Sequence, residues 1–236
     1  MESFNNNEPG TVLLAGVVGS TAYGLAGPQS DVDRLGVFAV PTISLLGLDT
    51  PALSRVTVNS DFTMHEAGKA ARLLLSANPT LTELLWLPSD LYERRVPLGD
   101  ELIEIRAAFL SAVRVRDAYL GYASQQFRKL LGRADGTFSS DMRRRTAKHA
   151  RHLKRLVDQG FDLYATGSLT VQLDDPASYL DFGEQAAADP DVARPMLAQA
   201  QDRFDQTRSA LPDEPDRARV QDWLLRVRDA FWLNGS

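Results

Sequence analysis

Two aspartates one residue apart, Asp31 and Asp33, close a stretch of small and turn-forming residues that begins at Gly19-Ser20. In an extended chain, side chains at i and i+2 share a face. The two carboxylates then project together and repel each other unless a cation sits between them. Mg2+ fits that role, because it prefers hard oxygen ligands and commonly binds through one or two carboxylates plus substrate phosphates. Gly19 and Ser20 add backbone N–H groups and a hydroxyl, and glycine lets a phosphate approach the main chain closely. These parts suit phosphoryl or nucleotidyl transfer, where catalysis is mostly positioning and charge neutralisation.

Elements must hold these residues in place. The apolar run Val12-Leu13-Leu14-Ala15-Gly16-Val17-Val18 predicts a first strand over 11–18, and Leu35-Gly36-Val37-Phe38-Ala39-Val40 predicts a second over 31–40. Between them, 19–30 reads as a turn with a short helix around Thr21 to Leu25. A third strand is expected over 54–63, with Val56, Val58 and Phe62 on one face and Thr57, Asn59, Asp61 and Thr63 on the other. Asp61 is thus an acid on a polar strand face. His65 and Glu66 compete with it but read as the start of the next helix.

The string GSTAYGLAGPQSDVDRLGVF resembles the signature of the DNA polymerase beta-like nucleotidyltransferase superfamily. Within it the chain is similar to the branch of bacterial and phage predicted nucleotidyltransferases that includes RNA-repair-associated members. DFTMHEAGKAARLLLSANPTLTELLW and KHARHLKRL carry the same resemblance, which spans most of residues 11–160. The resemblance implies a nucleoside triphosphate, two Mg2+ ions with Mn2+ as a substitute, and transfer of a nucleoside monophosphate to a hydroxyl, an RNA end among the candidates. It makes Asp31, Asp33 and Asp61 the catalytic and metal-binding carboxylates. It assigns the nucleotide to Gly19, Ser20, Tyr23, Gly24 and Ser30, and to Lys148, His152 and Arg155 of the basic segment.

That basic segment, 139–159, reads as a helix capped at Ser139 or Ser140, with Met142, Leu153 and Leu156 on the buried side. Arg144, Lys148, Arg151 and Arg155 recur at i, i+4, i+7 and i+11 and fall in one row. Such a row either contacts phosphates or pairs with acids from elsewhere. His152 adjoins it; His149 lies nearer the apolar side.

Of the 236 residues, 44% are hydrophobic and 24% charged, which is ordinary for a globular chain able to bury a sizeable core. The net charge of −5 gives no bulk attraction for nucleic acid, so a polyanion must meet a local basic patch. The chain has no cysteine, which excludes disulfides, thiolate metal sites and a cysteine nucleophile. The polar lead 1–10 has no apolar signal core and no run is long enough to span a membrane, so a cytoplasmic protein is expected.

The expected architecture is α/β: a nucleotidyltransferase core with a small mixed sheet over 11–97, then a mostly helical C-terminal region over 98–236 that completes the cleft. Further helices are predicted over 65–77, over Thr80–Leu87 with Glu83 at the capping-box spacing, and over 99–112, 114–132, 190–210 and 215–233. Trp223 belongs to a core stripe with Val220, Leu224, Val227 and Phe231. Gly160 is expected to end the basic helix, and a helix that often precedes the site in this superfamily has no counterpart ahead of the first strand. Two other functions share these residues: nucleotidylation of a small molecule or protein, and non-catalytic RNA binding through 139–159.

Overall fold

The computed structural model describes residues 10–28, 30–57, 61–131 and 140–233, with side chains described from 143 onward in the last segment. The expectations for the lead, for Val58 and Asn59, and for the Ser139, Ser140 and Met142 side chains lie outside the described residues.

Five strands form one mixed sheet: β1 (Thr11–Val17), β2 (Arg34–Ala39), β3 (Ser54–Thr57), β4 (Phe62–Glu66) and β5 (Tyr92–Arg95), in the order β3-β4-β2-β1-β5. β1 and β2 are antiparallel neighbours and β2 and β4 are parallel. β1 and β2 are buried along most of their length, as their unbroken apolar runs require.

Two expectations about this region are corrected. The aspartates precede the strand rather than belonging to it, because β2 begins at Arg34. The run 54–63 is not one strand: β3 and β4 are antiparallel partners and Asp61 lies just ahead of β4 in left-handed backbone, φ 42°. Aspartate tolerates that conformation better than most side chains. His65 and Glu66 consequently end β4 instead of starting the following helix.

One sheet face, with Leu13, Leu35, Val37 and Ala39, faces the helices and shares a continuous core with them. Residues Ala15, Phe38, Val40, Phe62 and Met64 form a second, smaller cluster with Leu45 packed on it. The Arg55 guanidinium lies 4.1 Å over the Phe38 ring. Leu45 ends the 3-10 turn Thr42–Leu45, whose first amides donate to the Phe231 and Trp232 carbonyls near the chain's end.

The helices are α1 (Gly19–Tyr23), α2 (Ala67–Leu75), α3 (Pro79–Leu84), α4 (Pro97–Glu104), α5 (Ala112–Leu131), α6 (Ser140–Thr166), α7 (Pro176–Ala188), α8 (Ala193–Gln206) and α9 (Arg217–Ala230). α3 is capped by Asn78, whose side chain accepts from the Leu81 amide, with Pro79 in the first turn. The expected cap at Thr80 and the capping-box role of Glu83 are thereby replaced. α6 passes through Gly160 without stopping. A Cβ there would collide with the Tyr119 ring, so this glycine permits the close approach of α5 to α6. Trp223 is fully buried and its Nε1 donates to the Leu98 carbonyl at 2.9 Å, which binds α9 to the start of α4. Among the described residues, no helix is long and apolar enough to cross a membrane.

Candidate nucleotide site

The sheet brings the acids together through its register. Val17 pairs with Arg34, and Arg34 with Phe62. One residue ahead of these pairs, the Val18 amide donates to the Asp33 carbonyl and the Arg34 amide donates to the Asp61 carbonyl, both at 2.9 Å. The Asp33 carbonyl is therefore tied to the residue after β1, and the next amide is tied to Asp61, just ahead of β4.

Gly19 follows at once, in left-handed backbone with φ 71°. A Cβ on it would run into the Asp33 carboxylate. The α1 turn and the acid thus share a contact that glycine alone leaves open. Ser20 is half-buried, and its hydroxyl makes no hydrogen bond with another described residue.

Electrostatics report the same crowding. Partial burial pushes the Asp33 carboxyl up, the Lys148 ammonium pulls it down, and the charges of Asp61 and Asp31 push it up again. The Asp33 carboxyl therefore feels the charges of Asp61 and Asp31 and that of Lys148 on α6. Among the described residues, no three acid, histidine or cysteine side chains are gathered into a ready-made metal cluster. Carboxylate oxygens are hard donors of the kind Mg2+ accepts, and one or two of them leave the rest of its coordination to other oxygens.

The other residues singled out in the sequence divide. Gly24 ends α1 in left-handed conformation, φ 76°, and is exposed. The Ser30 hydroxyl accepts from the Gly27 amide at 2.9 Å and so braces the loop before Asp31. Tyr23 donates its hydroxyl to Glu83 Oε2 at 2.5 Å. That hydroxyl is committed to the protein interior, and burial, with the Glu83 charge, holds its pKa well above the usual value.

Arg155 departs furthest from the expectation. It is 2% exposed and forms an ion pair with Glu83, which is 1% exposed. It does not lie in a solvent-facing row: α6 turns the row inward from the exposed Arg144 and Lys148, through half-buried Arg151, to buried Arg155. His152 is half-buried, and its Nδ1 bonds Arg155 Nη2 at 2.9 Å. His149 Nδ1 bonds Gln126 Oε1 at 2.8 Å, a packing role. His65 bonds Ser54 across β3 and β4. Glu66 caps α2 and pairs with Arg228 of α9 at 2.6 Å. Sequence reasoning missed Glu83 as the anchor of Tyr23 and Arg155; the available signal was a lone acid in the apolar run Leu81–Trp86.

A model of the RNA repair pathway DNA polymerase beta family matches residues 1–171, nearly three quarters of the chain. The chain belongs to that family. The match takes in the sheet, the three aspartates, Glu83 and all of α6, and ends ahead of α7. No curated protein matches the chain. Polymerase beta-like membership makes a nucleotidyltransferase-type function the expectation for this site.

Proposed function

We propose that this member of the family is a Mg2+-dependent nucleotidyltransferase. It transfers a nucleoside monophosphate from a nucleoside triphosphate to a hydroxyl acceptor, the family's description pointing to an RNA end. One observation carries the proposal: the Asp33 carboxylate lies against the Gly19 backbone, the amide of the next residue bonds the Asp61 carbonyl, and Asp61, Asp31 and Lys148 act on the Asp33 charge. Asp31 and Asp33 would hold the metal, Asp61 sharing it. When bound, Mg2+ neutralises the triphosphate and lowers the pKa of the attacking hydroxyl.

The chain's own residues supply the rest. The Gly19-Ser20 turn offers its amides and the Ser20 hydroxyl to the β- and γ-phosphates. Lys148 balances phosphate charge from α6, and Asp61 accepts the proton of the acceptor hydroxyl. The acceptor oxygen bonds the α-phosphorus as the bond to the bridging oxygen breaks, and pyrophosphate leaves. Arg144 and Arg145 are exposed, with no carboxylate partner among the described residues, and suit the backbone of an RNA acceptor.

The test is calorimetric titration with the four ribonucleoside triphosphates, with and without Mg2+ or Mn2+, on wild type and Asp31→Asn/Asp33→Asn. Metal-dependent binding lost in the variant is expected. Equal binding by both proteins would remove the aspartates from the site.

A further inference from the structure

Arg155 lies inside the fold and touches every part of a network that ends at the candidate site. Its Nη1 donates to Glu83 Oε1 and, at 2.7 Å, to Gln159 Oε1. Its guanidinium stacks 4.0 Å from the centre of the Tyr23 ring. Tyr23, the last residue of α1, shares Glu83 through its hydroxyl. Gln159 in turn donates to the Thr170 and Val171 carbonyls, and the Leu173 amide donates to the Tyr23 carbonyl at 3.3 Å. The turn that begins at Gly19 is thus fastened at its far end by one buried arginine and its partners.

The same arginine decides the chemistry of His152. A guanidinium has donors and no acceptor. Its bond to His152 therefore requires a bare Nδ1, and the ring proton must sit on Nε2. Burial, followed by the charges of Arg155, His149, Lys129 and Lys148, pushes the His152 pKa down to about 3. The ring stays neutral, and its Nε2–H makes no hydrogen bond to a described residue. It lies one helical turn after Lys148, whose charge acts on the Asp33 carboxyl.

We infer that Arg155 is a positioning residue for the nucleotide site: it fixes the Gly19–Tyr23 turn through Tyr23 and Glu83, and fixes His152 as a neutral Nε2–H donor beside Lys148. This rests on the nucleotidyltransferase reading above. Lysine cannot replace it, because a single ammonium can meet Glu83 but lacks the fork that reaches His152 as well.

The test pairs ring-nitrogen NMR with nucleotide titration. Long-range 1H–15N spectra are recorded for wild type, Arg155→Lys and Glu83→Gln/Arg155→Met, with His152→Gln to assign the signal. The double variant removes both buried charges together and so keeps the fold. In wild type, His152 is expected to show the Nε2–H form unchanged from about pH 8 to about pH 5. In both variants the ring should lose that single tautomer. Affinity for the tightest-binding ribonucleoside triphosphate in Mg2+ should fall about tenfold, the scale of one lost charge-assisted hydrogen bond. A wild-type His152 that carries its proton on Nδ1 overturns the inference, as do variants that keep both the tautomer and the affinity. Wild-type protein that binds no nucleotide would instead sink the proposed function, and Arg155's nucleotide role with it.

Discussion

The Asp33 carboxylate fills the space where a Gly19 side chain would stand. This contact ties the Gly19–Tyr23 turn to Asp33, and it explains why glycine is needed at 19: its φ is 71° and its Cβ position is taken. Gly19→Ala should therefore cost about 1–3 kcal/mol from backbone strain, with further loss from displacing Asp33. Urea denaturation would read the stability change, and calorimetry should show nucleotide binding weakened. An alanine variant with native stability and affinity would contradict the geometry.

Asp33 is held at the expense of stability. Its folded pKa is raised by burial and by Asp61 and Asp31, with Lys148 only partly offsetting them. Between the unfolded and folded values the native state binds the extra proton, so stability falls as pH rises through that window and stays lower at neutral pH. Asp33→Asn removes the penalty. The variant should melt higher than wild type at pH 7 and no higher at acidic pH, while losing nucleotide binding. Mg2+ should raise the melting temperature of wild type but not of the variant. Lower stability of the asparagine variant at pH 7 would reverse the sign argued here.

α9 lies beyond the family match, yet it is built into the core. Trp223 is fully buried with its indole bonded to the Leu98 carbonyl, and Arg228 neutralises the buried Glu66. Trp223→Ala should destabilise the whole molecule by about 3–5 kcal/mol, as large core truncations do. Chemical denaturation followed by far-UV and near-UV circular dichroism should give one transition at lower denaturant. An unchanged main transition with only the C-terminal helix lost would mean that α9 is an appendage.

The legible parts of the fold were those where one signal dominated. β1 and β2 announce themselves as unbroken apolar runs, and Trp223 sits in a helical stripe with Val220 and Val227. The alternating run 54–63 concealed a reversal, although Asn59, Ser60 and Asp61 are turn formers at its centre. β5 has four residues, three of them charged, and reads as loop because an edge strand need not be apolar. Gly160 looked like a helix stop because its reason, the Tyr119 ring, lies on another helix. At the site, the Gly-Ser turn and the Asp pair were visible as a local pattern. The inward turn of Arg155 was not. Its helical spacing matches that of Lys148, and only the fold brings Glu83, 72 residues away, against it.

The outer end of α6 provides the last test. Arg144 and Lys148 are exposed and one turn apart, and the Lys148 charge acts on the Asp33 carboxyl. If an RNA end is the acceptor, phosphates should lie along this stretch, and binding should weaken steeply with salt through counterion release. Removing one phosphate contact lowers the slope of log K against log[salt] by about 1. Arg144→Ala and Lys148→Ala should each do so with a single-stranded RNA oligonucleotide, measured by fluorescence anisotropy across a salt series. Asp33→Asn should leave that slope unchanged, because it removes no cation. Lys148→Ala should also weaken nucleoside triphosphate binding, which Arg144→Ala should not. If neither variant changes the slope, the acceptor does not lie along α6, and a small hydroxyl compound or a protein becomes the better candidate.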